Sequence, residues 1–293
     1  MSTSPSSVDS EAGPVAIVCG GGSLPLTVAD TVLGTGRAVV LFPIHGWADP
    51  AAVARYHHHW LHLGSLGRFC RLAHKEGCRD VVMIGNALRP AIHELRLDWL
   101  TLRLLPRIVR LFKGGDDRLL SGVATMMEEQ GFRFIGAHEL APQILVSEGP
   151  LGLIKPTDSH MQDIACGFEL ISAIARFDVG QAAVVADNRV LAVEAAEGTD
   201  HMLDRIAALR AEGRIRIPEN SGVLVKSPKP GQDWRFDLPS LGPRTVEKAA
   251  RAQLAGIAVA AGGAVIAEPV RVAEAADRTG LFVVGCRRPG AES

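Results

Sequence analysis

Short apolar runs alternate with amphipathic stretches along most of this chain. Residues 15–18, 37–42 and 80–84 are apolar runs of strand length, and the segments 26–33 and 66–75 between them carry a helical pattern. Such alternation with short connections predicts a parallel sheet covered on both faces. A further strand at 132–135 completes one α/β unit over residues 14–146. Within it, 94–112 is a long amphipathic segment in which Leu97, Leu100, Leu104, Ile108 and Leu111 recur at helical spacing, with Arg103, Arg107 and Arg110 elsewhere on the surface. Pro106 is expected to bend or divide it. Docking on its own core is the plain role of that helix, and a membrane-surface role is the alternative. Asp116 and Asp117 precede the next helical pattern, as N-terminal caps rather than metal ligands.

Residues 147–150 are the expected linker. A second α/β unit follows over 151–286, with a helix at 161–177 and paired strands at 182–186 and 190–195. A helix at 198–210 is expected to be capped by Thr199 or Asp200. A helix at 245–254, strands at 256–260 and 264–267, a short helix at 270–279 and a strand at 281–284 complete it. The Ser-rich start, 1–13, and the end, 287–293, are expected as disordered tails.

Composition narrows the function classes. A net charge of -1 leaves no basic excess for nucleic acid. Five cysteines, odd in number and without a CxxC pair, point to reduced thiols and a cytoplasmic setting. The uncharged run 252–267 falls short of the roughly 20 residues that span a bilayer. No apolar signal-peptide core is visible near the start. Oligomeric state is left open, a homo-oligomer included.

The densest chemistry lies in 226–239, where two lysines, an arginine and two aspartates share a loop with three prolines and one glycine. Prolines limit helix and ladder pairing, so a shaped surface loop is expected. With 233–237 extended, Asp233, Arg235 and Asp237 would share one face, and Trp234 and Phe236 would anchor the other in apolar surface. Carboxylates beside cations suit a phosphate ester with a bound divalent ion. The plain alternative is a loop stitched by surface ion pairs, which add little stability.

Three other features carry candidate chemistry. Gly20, Gly21 and Gly22 sit between a strand and a helix, where backbone N–H groups can approach a phosphate. Leu24 and Pro25 break the dinucleotide-binding spacing, and no Lys-Ser/Thr pair makes a P-loop. A ligand-free βα turn is the alternative. In 194–200, Glu197, Thr199 and Asp200 are placed to bind a metal or a sugar, or only to cap a helix. His57, His58 and His59 with His62, and Cys70, His74 and Cys78 on one helical face, are further metal candidates. The second set lacks a fourth ligand and the first lies in an expected surface loop, so neither is taken as a metal centre.

Taken together, 16–25, 82–85 with Arg89 and Pro90, and 113–117 resemble a known family in order and spacing. So do 178–181, 194–200, and 226–239 followed by 242–245. That family is the UDP-2,3-diacylglucosamine pyrophosphatases of lipid A biosynthesis, of the type unrelated to calcineurin-like phosphoesterases. The C-terminal segments carry most of its specificity. The resemblance implies a Rossmann-like N-terminal domain, a family-specific α/β C-terminal domain, and a ligand lying between them. It also implies Mg²⁺-dependent hydrolysis of a lipid-linked UDP-sugar to UMP and 2,3-diacylglucosamine 1-phosphate, with peripheral contact at the inner membrane. Asp233 is the first candidate for the central catalytic residue and Asp237 the second, with Lys226, Lys229 and Arg235 stabilising phosphate charge. Substrate contacts are expected at Gly20, Gly21, Gly22, Ser23, Gln181, Thr199 and Gln232, and metal contacts at Asp233, Glu197 and Asp200. A sugar nucleotidyltransferase and a non-catalytic nucleotide- or lipid-binding protein are the rival readings.

Overall fold

A computed structural model describes residues 13–86, 96–111 and 116–288, with side chains from 119 in the last stretch. The expectations for Arg89, Pro90 and 113–115, the side chains of Asp116 and Asp117, and most of both tails lie outside the described residues. Two compact units result: 1–142 together with 233–236, and 143–232 together with 237–293. Residues 233–236, expected in the second unit, thus cluster with the first.

The first unit is built on four parallel strands in the order β2-β1-β3-β4: β1 Val15–Cys19, β2 Val39–Pro43, β3 Asp80–Ile84 and β4 Arg133–Phe134. Being covered on both faces, these strands are apolar on both faces. Ala16, Val40, Phe42 and Val81 meet helices α3 Leu66–Lys75, α4 Trp99–Leu111 and α5 Asp116–Glu128 through Phe69, Ala73, Leu104, Ile108 and Met127. Helix α1 Leu24–Gly34 packs on β1 and β2, and α6 Ala137–Leu140 packs on α1 and β3; a short helix, α2 Pro50–Val53, follows β2. Pro106 does not divide α4, which runs unbroken through it.

The buried charged residue of this sheet, Asp80, receives Arg133 of β4 at 2.7 and 2.9 Å as well as Arg37. Burial alone would raise its carboxyl, but the two guanidinium groups more than offset this and hold it below the usual carboxylate range.

The second unit carries a six-stranded mixed sheet, β5-β12-β10-β8-β6-β7. Its parallel centre is β8 Val223–Lys226, β10 Gly256–Ala260 and β12 Phe282–Cys286. Antiparallel strands flank it: β6 Ala182–Ala186 and β7 Arg189–Val193 on one side, β5 Gly149–Pro150 on the other. The expected linker therefore contributes an edge strand instead. A small separate pair joins β9 Ser240–Leu241 to β11 Val265–Ile266.

Alternation along the sheet sorts its side chains to two helical layers. Val184, Leu224, Ile257, Val259 and Val283 meet α8 Gly198–Ala211, α9 Pro243–Arg251 and α10 Pro269–Thr279. Ala183, Val223, Val225, Ala258 and Phe282 meet α7 Asp158–Ile174 through Ile164, Phe168 and Ile171. The β6–β7 turn uses left-handed Asp187 and Asn188, and both of their N–H groups donate to Asp163 of α7.

Helix α7 lies so close to β8 that a Cβ on Gly167 would stand 2.5 Å from Val225 Cγ2. Alanine in a helix interior gains about 1 kcal/mol over glycine, whereas overpacking a close-packed core costs about 1–3 kcal/mol. The clash should win, because Val225 is held in a central strand. Gly167→Ala should therefore lower the thermal midpoint, and a raised midpoint would show that the layer has slack.

Candidate active site

In an open α/β sheet, ligands gather at the carboxyl ends of the parallel strands. The central strand β8 ends at Lys226, which is buried and whose Nζ donates to the Ser240 carbonyl at 2.7 Å. Burial pulls its pKa down, and the charges of Glu194, Asp200 and Asp237 act against that pull. A lysine in such a setting supplies charge or a proton far more selectively than an exposed one.

Around it the separate sequence segments are knitted together. Glu194, just past β7, accepts the Gln181 N–H at 2.8 Å and the Thr199 hydroxyl at 2.8 Å. Gln181, just before β6, donates from Nε2 to Asp237 at 2.6 Å, and Gln232 donates to the same carboxylate oxygen. Gln232 also accepts the Lys229 N–H at 2.9 Å, and Lys229 Nζ pairs with Asp178. Asp200 pairs with Arg244 at 2.8 Å. Lys229, Gln232, Asp237, Gln181 and Thr199, named separately from sequence, thus belong to one bonded cluster, and Lys226 lies in the field of its carboxylates.

The tip of the loop is different. Residues 233–236 are not extended: the Phe236 N–H donates to the Asp233 carbonyl, which closes a turn. Asp233 and Arg235 still meet, but across this turn rather than along a strand face. Asp233 accepts the Arg235 N–H at 3.0 Å and its guanidinium at 2.8 to 3.2 Å. Arg235 reaches on to Glu128 of α5 at 3.0 Å. The aromatic anchors hold as expected, with Phe236 edge-on to Phe134 at 5.6 Å and Trp234 edge-on to His138 at 6.2 Å. The Arg235 hydrogen bonds, ahead of any other influence, hold the Asp233 carboxyl below the usual carboxylate range.

Other expectations need correction. Glu197 and Asp233, like Asp200, are each taken by an arginine, Arg205 at 2.6 Å and Arg235 at 2.8 Å respectively. Among the described residues of the second unit, no three carboxylates bring their oxygens together as ligands. Neither Thr199 nor Asp200 holds the N-cap position of α8; Glu197 does, and its side chain makes no capping bond. Gly20 and Gly21 donate their N–H groups to the Ile84 and Asn86 carbonyls at 3.0 and 2.8 Å, so neither is available to a phosphate. A Cβ on Gly20 would lie 2.6 Å from the Asn86 oxygen, and close backbone approach is what demands glycine there. Gly22, at φ +92°, and Ser23 complete the segment expected as a phosphate cradle, at the N-terminus of α1.

Sequence reasoning included Glu194 in the 194–200 segment but gave it no role, whereas the structure puts it at the centre of the cluster. Its signal was a carboxylate ending an apolar strand run.

A buried lysine with clustered acids and amides at strand ends defines an α/β protein with one concentrated polar site in its second unit. The chain belongs to the LpxI family: the LpxI N-terminal domain model matches residues 14–144 and the LpxI C-terminal domain model residues 147–284. It is also 40% identical over 269 residues to the UDP-2,3-diacylglucosamine pyrophosphatase LpxI of Caulobacter vibrioides, covering 92% of this chain and 96% of that protein.

Asp233 gives a signed test. Its folded pKa lies below the unfolded value of about 3.9, so its stabilisation is fully present above that pH and is lost as pH falls through the folded value. The thermal midpoint of Asp233→Asn should trail the parent most near neutrality, and the gap should close below about pH 4. A gap independent of pH would show that the ion pair contributes nothing.

Proposed function

We propose that this chain hydrolyses the pyrophosphate bond of UDP-2,3-diacylglucosamine to UMP and 2,3-diacylglucosamine 1-phosphate, a step of lipid A biosynthesis. The observation that carries this reading is the near full-length match to the Caulobacter protein named as a UDP-2,3-diacylglucosamine pyrophosphatase. The strand-end cluster supports it. In the reaction, a water oxygen joins one phosphorus, the bridging P–O bond breaks, the other phosphate leaves with the bridging oxygen, and the water proton passes to solvent.

The depressed Asp233 pKa shapes its role. An effective general base has a pKa near the working pH, and a carboxylate held ionised by arginine is a poor one. Asp233 therefore serves as a fixed acceptor that orients the attacking water, with Arg235 holding it in place. Lys226 and Lys229 offset charge that develops on phosphate oxygens.

The donor chemistry also suits Mg²⁺, which takes one or two carboxylates and leaves its other positions to waters and substrate phosphates. Gln181 Oε1 is buried without a hydrogen-bond partner, beside the Asp237 that its Nε2 contacts. Asp237 and Gln181 would hold the ion, in place of the arginine-bound Glu197 and Asp200. When bound, it would neutralise pyrophosphate charge.

Purified protein with the lipid substrate, followed by mass spectrometry, tests the reading. UMP and the sugar 1-phosphate should form and excess EDTA should stop the reaction. Asp233→Ala should stay folded, bind substrate, and lose on the order of 10²- to 10⁴-fold in turnover. Intact substrate with parent protein and Mg²⁺ would overturn the activity. Near-parental turnover by Asp233→Ala with a dead Asp237→Ala would move the central role to Asp237.

A lipid substrate calls for access to a membrane surface. Among the described residues no helix is long and apolar enough to cross a membrane. Helix α4 offers peripheral contact instead, since Thr101, Leu104 and Ile108 face the core while Trp99 (81% exposed), Leu102 and Val109 face outward with Arg103 and Arg110. Arg107 is held by Glu129 through two bonds and contributes less free charge. A basic residue near an anionic surface is worth about 1 kcal/mol. Reversing Arg103 and Arg110 together with Trp99→Ala should thus cut binding to anionic vesicles at least tenfold. Unchanged vesicle binding would return α4 to core packing alone.

A further inference from the structure

The histidine run is not in a loop. Leu41 of β2 accepts the His59 N–H and donates to the His57 carbonyl, both at 2.9 Å, and His58 forms a parallel bridge with Leu41. Residues 57–59 are therefore an extended rung beside β2. Side chains alternate along such a rung, so His57 and His59 share a face. Both rings turn to one carboxylate: His57 Nε2 lies 3.0 Å from one oxygen of Glu76, and His59 Nε2 lies 2.7 Å from the other.

Glu76 is the C-cap of α3, whose backbone N–H closes on Leu72 at 3.0 Å. All three groups thus stand on hydrogen-bonded backbone. The carboxyl end of a helix carries partial negative charge, which favours a cation there. Cys70, His74 and Cys78 form no such set among the described residues: Cys70 is buried with Met127, His74 stacks on Phe132 at 4.6 Å, and Cys78 lies beyond the end of α3.

We propose that His57, His59 and Glu76 form a zinc-type divalent cation site. Two imidazole nitrogens and one carboxylate oxygen are the donor set of open, three-ligand zinc centres, and imidazole argues against Mg²⁺. The three ligand atoms lie within 4.8 Å of one another. Atoms each about 2.0–2.2 Å from one ion sit roughly 3–4 Å apart, so small side-chain rotations suffice. Each imidazole would present the Nε2 lone pair to the ion in its neutral tautomer, with the ring proton on Nδ1. His57, with 57% of its side chain exposed, leaves the fourth position open to water. The ion would clip the 57–59 rung to the end of α3, within the first unit. This site shares no residue with the hydrolase reading and stands or falls without it.

The test uses the full chain without a polyhistidine tag. Equilibrium dialysis against Zn²⁺ should load one ion per chain that excess Mg²⁺ does not displace, and zinc should raise the thermal midpoint. Co²⁺ in its place should give visible bands without a thiolate charge-transfer band, which separates this site from the cysteines. Glu76→Gln and the more exposed His57→Ala should each lose the ion while keeping the parental circular dichroism. Absence of stoichiometric uptake by the parent would overturn the proposal, as would uptake unchanged in both variants or a thiolate band with Co²⁺.

Discussion

A buried ammonium at the end of a central strand is the constraint on which the second unit depends. Every residue of β8 is buried, Lys226 included. An unpaired buried charge costs several kcal/mol, so the surrounding sequence must answer it. The Ser240 carbonyl accepts a hydrogen bond from Nζ, and Glu194, Asp200 and Asp237 set the field around it. Each of those carboxylates is in turn fixed by a further partner: Thr199 and Gln181 for Glu194, Arg244 for Asp200, Gln181 and Gln232 for Asp237. A half-satisfied network of this kind is worse than an apolar core. That explains why polar residues from four separate segments are committed to one place.

The fold was legible because its cause is local. Strands buried on both faces are apolar throughout, and the runs at 15–18, 80–84, 182–186 and 256–260 were readable for that reason. What escaped were elements with no periodicity to show. Two-residue strands such as Gly149–Pro150 and Ser240–Leu241 exist only through their partners. The histidine rung was read as a loop for the same reason, since its order comes from Leu41, not from its own side chains.

The site was legible as a set of residues but not as a set of pairings. Lys226, Gln181, Gln232 and Asp237 were nameable because charge and amide groups stood in constrained backbone. Glu197, Asp200 and Asp233 were assigned to a metal because a sequence does not show which arginine reaches which carboxylate. Arg205 is eight residues from Glu197, yet Arg244 comes from a different helix to Asp200. The glycine loop misled in another way. Three glycines after a strand suit a phosphate cradle and a close backbone crossing equally well, and Asn86 shows that crossing explains Gly20 and Gly21.

The two aspartates of the charged loop are held by unlike means, and this separates their chemistry. Asp237 accepts the amides of Gln181 and Gln232 and lies in the field of the buried Lys226. Asp233 is held by a guanidinium, which cancels most of its charge and lowers its basicity together. Arg235 also reaches Glu128, so its guanidinium is engaged on two sides and the pair is well restrained. On the proposed reading, the closed pair keeps Asp233 in one position from which it orients water, and the tight Asp233–Phe236 turn adds to that restraint. The ion pair thus serves the function by fixing the acceptor, while the lysines of the loop are left to meet phosphate charge.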